Sequence, residues 1–293
     1  MTENYIPRSL EPVLARATRE FPAVVLIGPR QSGKTTLLQH KFGAELSLIS
    51  LEPPDVRAAA SRDPRGFLSL YPPPVIYDEI QYAPDLLHYI KERVDAHRDR
   101  SGQFILTGSQ NLFLMQQITE SLAGRAAVLK LMPLTLREIA GEPERPLPWE
   151  PERALTSRSP MSVSDASPYS EVWGRILRGS YPELAANPQR DFRLWQASYV
   201  QTYLERDVRN LSNIGDLTLF QTFLRSLAAR SAGLLNLSDL ARDVGVAVNT
   251  VRDWLAVLEA SFQVFLLRPY HVNLGKRLVK APKIYFTDTG LLC

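Results

Sequence analysis

The chain has 293 residues, enough for two small domains, and its 45% hydrophobic and 22% charged content is that of a globular protein, not a disordered polymer. A net charge of +3, from 34 basic and 31 acidic residues, is too mild to argue for nucleic acid by itself, so that case must rest on where the charges sit. The lone cysteine, Cys293, excludes an intrachain disulfide and a cysteine metal cluster. There is no leader-like pattern at Met1-Thr2-Glu3-Asn4-Tyr5 and no apolar run near the ~20 residues that span a bilayer, so a soluble cytoplasmic protein with no membrane contact is expected.

In chain order, Leu10, Val13, Leu14 and Ala17 fall at helical spacing and predict a helix over 10–20. Ala23-Val24-Val25-Leu26-Ile27 is an unbroken aliphatic run of the kind buried on both faces of a parallel sheet. A helix is expected from Gly33 to about Lys41. Further strands are expected at 46–51, 74–78, 103–107 and 126–131, with helices at 85–97 and 112–122 between them. Strands alternating with helices imply a parallel sheet covered on both faces. From Gly141 to Ser170 prolines alternate with serines and charges, which reads as a linker or insertion. Helical spacing returns near Glu171 and continues over 192–208, 217–231, 238–244 and 249–260. Strands are expected at 262–267 and 283–286.

Gly28-Pro29-Arg30-Gln31-Ser32-Gly33-Lys34-Thr35 matches the phosphate-loop (Walker A) pattern, set between a buried strand and a helix as that motif requires. Glycines let the backbone wrap phosphate oxygens, and the N–H groups of the following helix, up to Thr36, donate to them. Lys34 is expected between the outer phosphates and the Thr35 hydroxyl on Mg2+. Val75-Ile76-Tyr77-Asp78-Glu79 reads as the partner (Walker B) strand. Asp78 would hold the metal and Glu79 would orient and deprotonate the attacking water. On the neighbouring strand tip, Thr107, Ser109 and Gln110 are candidates for sensing the terminal phosphate, with Ser109 preferred. Arg125 precedes the fifth strand and is a candidate for reaching the γ-phosphate, in its own chain or a neighbour. Arg30 could also face solvent or a partner.

Residues 28–37, with Asp78-Glu79-Ile80-Gln81, Leu106-Thr107-Gly108-Ser109-Gln110 and Gly124-Arg125 before Pro133-Leu134, resemble a bacterial and archaeal family of AAA-like ATPases. In that family a C-terminal domain of unknown function follows. Its motifs look like Gly179-Ser180-Tyr181-Pro182-Glu183, 203–208 (Tyr-Leu-Glu-Arg-Asp-Val) and the stretch from Lys283 to Leu291. The resemblance implies an ATP-binding core and then a winged-helix region. Relatives usually continue into a nuclease-like domain, whereas this chain stops at Cys293.

The expected fold class is therefore α/β. A P-loop NTPase (AAA-like) parallel sheet over 1–140 would be followed by a linker or insertion at 141–170, a helical connection at 171–215 and a winged helix at 216–293. Two short helices split by Gly245 have helix-turn-helix spacing. Asn249, Thr250 and Arg252 would face DNA bases, and His271, Lys276, Arg277, Lys280 and Lys283 would face phosphates. The expected function is Mg-dependent ATP hydrolysis acting with double-stranded DNA, with a homo-oligomer possible. The alternative is a slow nucleotide switch whose winged helix binds a protein partner.

Overall fold

The computed structural model describes residues 5–109, 120–145, 169–203, 216–270 and 280–293. Five parallel strands form the first half: β1 (Ala23–Ile27), β2 (Ser47–Ser50), β3 (Val75–Asp78), β4 (Phe104–Gly108) and β5 (Ala126–Lys130), in the order β2-β3-β4-β1-β5. All residues of β1, β3 and β4 are buried, as aliphatic runs between two helical layers must be. Because side chains alternate along a strand, Val25, Ile27, Tyr77 and Leu106 enter the core on one face. Val24, Leu26, Ile76 and Ile105 enter the core on the other.

The helices of this half are α1 (Glu11–Glu20), α2 (Lys34–Phe42), α3 (Pro54–Arg62), α4 (Pro64–Leu70), α5 (Leu86–Ala96) and α6 (Leu136–Ile139). The sequence reading placed no element where α3 and α4 stand, each of which begins at a proline. Pro54 and Pro64 occupy first-turn positions, where a missing N–H is harmless, and Asp63 caps α4 by accepting from Gly66 N at 2.9 Å. Of the helix expected at 112–122, only 120–122 are described, and they are helical.

The second half contains α7 (Tyr169–Arg178), α8 (Pro182–Ala186), α9 (Phe192–Tyr203), α10 (Leu217–Ala228), α11 (Leu237–Val244), α12 (Val248–Ala260), β6 (Val264–Leu267), β7 (Lys283–Phe286) and α13 (Thr289–Leu292). The linker expected at 141–170 thus gives way to helix two residues early, and its stretch 146–168 lies outside the described residues. The cap of α11 is Asn236, which accepts from Ser238 N and Asp239 N, and Gly245 ends it with φ 79°, a left-handed position suited to glycine. β6 and β7 are antiparallel, and Leu234 bridges to Lys283. Tyr181 and Tyr199 share one core with Phe220, Phe223, Trp254 and Ile284, so the helices after 180 pack with the C-terminal elements.

Candidate phosphate-binding site

The register assembles the site at the carboxyl edge of the sheet. Tyr77 lies beside Leu106, so Asp78 emerges next to Thr107. Ile27 lies beside Gly108, so the loop from Gly28 starts level with Ser109. Open α/β sheets bind ligands at this edge. The loop has no spare room: a Cβ on Gly28 would stand 2.1 Å from Leu131 O. Gln31 and Gly33 adopt left-handed φ values of 59° and 88°, which turn the chain into α2. Lys34, buried, donates from Nζ to Gly28 O at 3.1 Å and Pro29 O at 2.9 Å. The lysine is thereby folded across the mouth of its own loop, and Ser32 Oγ is buried there with no partner among the described residues.

Asp78 is 6% exposed. Its carboxylate accepts from Thr35 Oγ1 at 3.1 and 3.0 Å and from Thr107 Oγ1, which in turn accepts from Glu79 N at 3.0 Å. Burial pushes the Asp78 carboxyl above its usual range, opposed by the Thr107 hydrogen bond. A hydroxyl and a buried carboxylate at this separation are hard oxygen donors. Mg2+ takes one or two such protein ligands and completes its shell with water and substrate phosphates, so Thr35 and Asp78 fit it. Glu79 lines the same cleft as Gln31, Thr35, Thr36 and Lys34, facing Pro182 and Glu183 across it. Ser109, buried, donates to Glu79 Oε2 at 3.1 Å, so it contacts the expected base. Gln110 lies outside the described residues.

Arg125 requires a correction. Its carbonyl accepts from Ala23 N, at the amino end of β1, a full strand or ~16 Å from the P-loop. Its guanidinium forms a two-bond pair with Asp95, at 2.7 and 2.9 Å. An arginine on the opposite sheet edge cannot reach the phosphates of its own chain. The pairing holds the Asp95 carboxyl down at about 2.

The sequence reading missed Arg8, which is 5% exposed and braces the loop. It donates to Ser32 O at 2.8 Å and Met132 O at 2.6 Å and pairs with Glu138 at 3.2 Å. Burial alone would raise the Glu138 carboxyl. Hydrogen bonds from Thr135 and Ser9 and the charge of Arg8 outweigh it and hold the carboxyl low. A lone arginine before a helix has no spacing pattern to reveal it. The Thr135-x-x-Glu138 capping box was readable.

In the C-terminal half, Asn249 and Arg252 are exposed at the start of α12 and bonded to each other at 2.6 Å, Thr250 is half-buried, and Lys280 is exposed. His271, Lys276 and Arg277, and most of the 203–208 motif, lie outside the described residues. No helix among the described residues is long and apolar enough to cross a membrane.

Residues 20–140 match the family model of an AAA domain, and 170–293 match a domain of unknown function (DUF8612). Two uncharacterized proteins, of Mycobacterium tuberculosis and Mycobacterium bovis, are each 33% identical over 282 residues, covering 95% of this chain. The chain spans 57% of the length of each. Among solved structures, the Walker-type ATPase PABY2304 of Pyrococcus abyssi superposes with a TM-score of 0.61 at 16% identity, over 99% of this chain and 95% of that one, a likeness of fold. Residues 20–140 thus carry the sequence of an AAA domain on a P-loop ATPase fold, and residues 170–293 match a domain of unknown function.

Proposed function

We propose that the chain binds ATP with Mg2+ and hydrolyses it to ADP and phosphate. The observation that carries this reading is the pair of half-buried Thr35 and buried Asp78 at the strand tip beside Lys34 and Glu79. Two adjacent carboxylates at the end of an apolar strand are costly unless cations meet them, and a metal nucleotide supplies that charge. The backbone N–H groups of Gly33 to Thr36 cradle the phosphates. Lys34 leaves its loop carbonyls for the outer phosphates, and Glu79 takes the proton of the attacking water. Mg2+ would neutralise charge growing on the phosphate oxygens. Ser109 acts through Glu79 in this reading. Arg125 is left with a role only in the site of a neighbouring copy, and turnover per chain that rises with protein concentration would support it.

The element order from α10 to β7, with its short bridge and antiparallel pair, supports reading this part as a winged helix, which we assign to double-stranded DNA. α12 would present Asn249, Thr250 and Arg252 to the major groove, with Lys280 on the backbone. The test is steady-state ATP hydrolysis with and without duplex DNA at low salt, beside Lys34→Ala, Glu79→Gln and Arg252→Glu. Turnover should vanish in the first two variants, and its stimulation by DNA should be lost in the third. Nucleotide binding without turnover above the Glu79→Gln level would replace the enzyme with a switch, and absence of any DNA response would leave the winged helix to a protein partner.

A further inference from the structure

We infer that Gln81 is a positioning residue for hydrolysis: it anchors the Glu79 carboxylate by one oxygen and leaves the other open to the attacking water. This rests on the ATPase reading above. The three-residue turn Ile80–Tyr82 brings Gln81 back over Glu79. Gln81 Nε2 donates to Glu79 Oε2 and, at 3.3 Å, to Ser109 Oγ, and Ser109 Oγ donates to the same Glu79 Oε2 at 3.1 Å. The amide has only one sensible orientation, because turning it over would set two acceptor oxygens against each other. Both side-chain bonds converge on Oε2. Among the described residues Oε1 accepts none.

The backbone of Glu79 is equally constrained. It is a non-glycine residue at φ 59°, ψ 52°, held by Glu79 N on Thr107 Oγ1 and by Tyr82 N on Glu79 O at 3.1 Å. A carboxylate fixed through one oxygen with the other free has the geometry a general base needs. The free oxygen accepts a water proton as the resulting hydroxide bonds the γ-phosphorus and the bond to the bridging oxygen breaks, with ADP leaving. A second observation points away from a purely structural role. Gln81 Oε1 is buried with no partner among the described residues. An unpaired buried acceptor is unfavourable, so removing it offsets part of the stability lost with the two Nε2 hydrogen bonds.

The experiment compares wild type, Gln81→Ala, the near-isosteric Gln81→Glu, Glu79→Gln and Glu79→Gln/Gln81→Ala for kcat, KM, Mg-nucleotide affinity and Tm. Gln81→Ala should lose about tenfold or more in kcat, with KM and affinity within about twofold and Tm little changed, and Gln81→Glu, which sets a second carboxylate against Glu79, should lose at least as much in kcat with a lowered Tm. Gln81→Ala should add nothing once Glu79 is glutamine, because the two act as a unit. An unchanged kcat in either Gln81 variant, or losses that multiply in the double variant, overturn the proposal alone. Equal turnover in wild type and Glu79→Gln overturns the ATPase reading and this proposal with it.

Discussion

Asp78 and Asp288 are both buried carboxylates, 6% and 3% exposed, and burial raises both above the usual range. They differ in what answers the charge. Asp288 caps α13 and accepts chiefly from backbone amides, Ser180 N at 2.6 Å and Leu291 N at 3.0 Å, with Gly290 N and the Ser180 hydroxyl adding to them. Those amides are fixed by the fold and have nowhere else to turn. Asp78 accepts from the hydroxyls of Thr35 and Thr107, which can rotate toward other partners. A buried carboxylate met by fixed amides belongs to the architecture, whereas one met by hydroxyls is poised to exchange them for a cation. Burial alone does not separate the two, and the partners do.

Replacing each aspartate should therefore give opposite results. Asp78→Asn is expected to lower kcat about 10³-fold, roughly 4 kcal/mol of barrier. It should also raise the Tm of the nucleotide-free protein, since a neutral amide sits more easily in that buried place. Hydrolysis assays and thermal melts with and without Mg-nucleotide check both. A lowered Tm in the nucleotide-free variant would put Asp78 in the class of Asp288. Asp288→Ala should do the reverse. Ser180 N and Leu291 N lose their acceptor at about 1–3 kcal/mol each, so a loss of about 3 kcal/mol in denaturant unfolding is expected, with turnover per folded molecule of the same order. Gly290→Ala tests the same corner by shape. A Cβ there would stand 2.3 Å from Gln196 Nε2 and 2.8 Å from Gly179 N, so we expect a loss of about 2 kcal/mol by overpacking.

That corner also shows what the C-terminal motifs do in the fold. Gly179-Ser180 and Asp288-Thr289-Gly290 are far apart in sequence, yet they close on each other. Ser180 O accepts from Leu134 N at 2.8 Å, tying the corner to the exit of β5. The β1 and β4 runs, the phosphate loop and the Asp78-Glu79 tip were legible because each is a local pattern with one physical cause: burial on both faces, close backbone approach, or charge at a strand end. The helices α3 and α4 were hidden by prolines that start them. Arg8 and the Gln81–Ser109–Glu79 contact are set by long-range placement, which no spacing rule carries. Arg125 was legible as an arginine before a strand, and the parallel sheet expected from the sequence already sets that position on the edge opposite the phosphate loop.

The smallest effect expected is at that opposite edge. Asp95 is held down at about 2, first by the hydrogen bond from Arg125 and then by that from Arg98. Its folded value lies below the ordinary ~3.9 of an unfolded aspartate. The stabilisation is therefore present above about pH 4 and is lost as the pH falls from about 4 toward 2. Both partners are solvent-accessible, so the gain is slight and screened by salt. Asp95→Asn should flatten the acid limb of unfolding stability a little, and less so in high salt, while leaving the ATP affinity of the chain unchanged. A change in that affinity would mean that Arg125, once released from Asp95, does influence its own site. The ~16 Å of strand between them makes this the outcome the fold excludes.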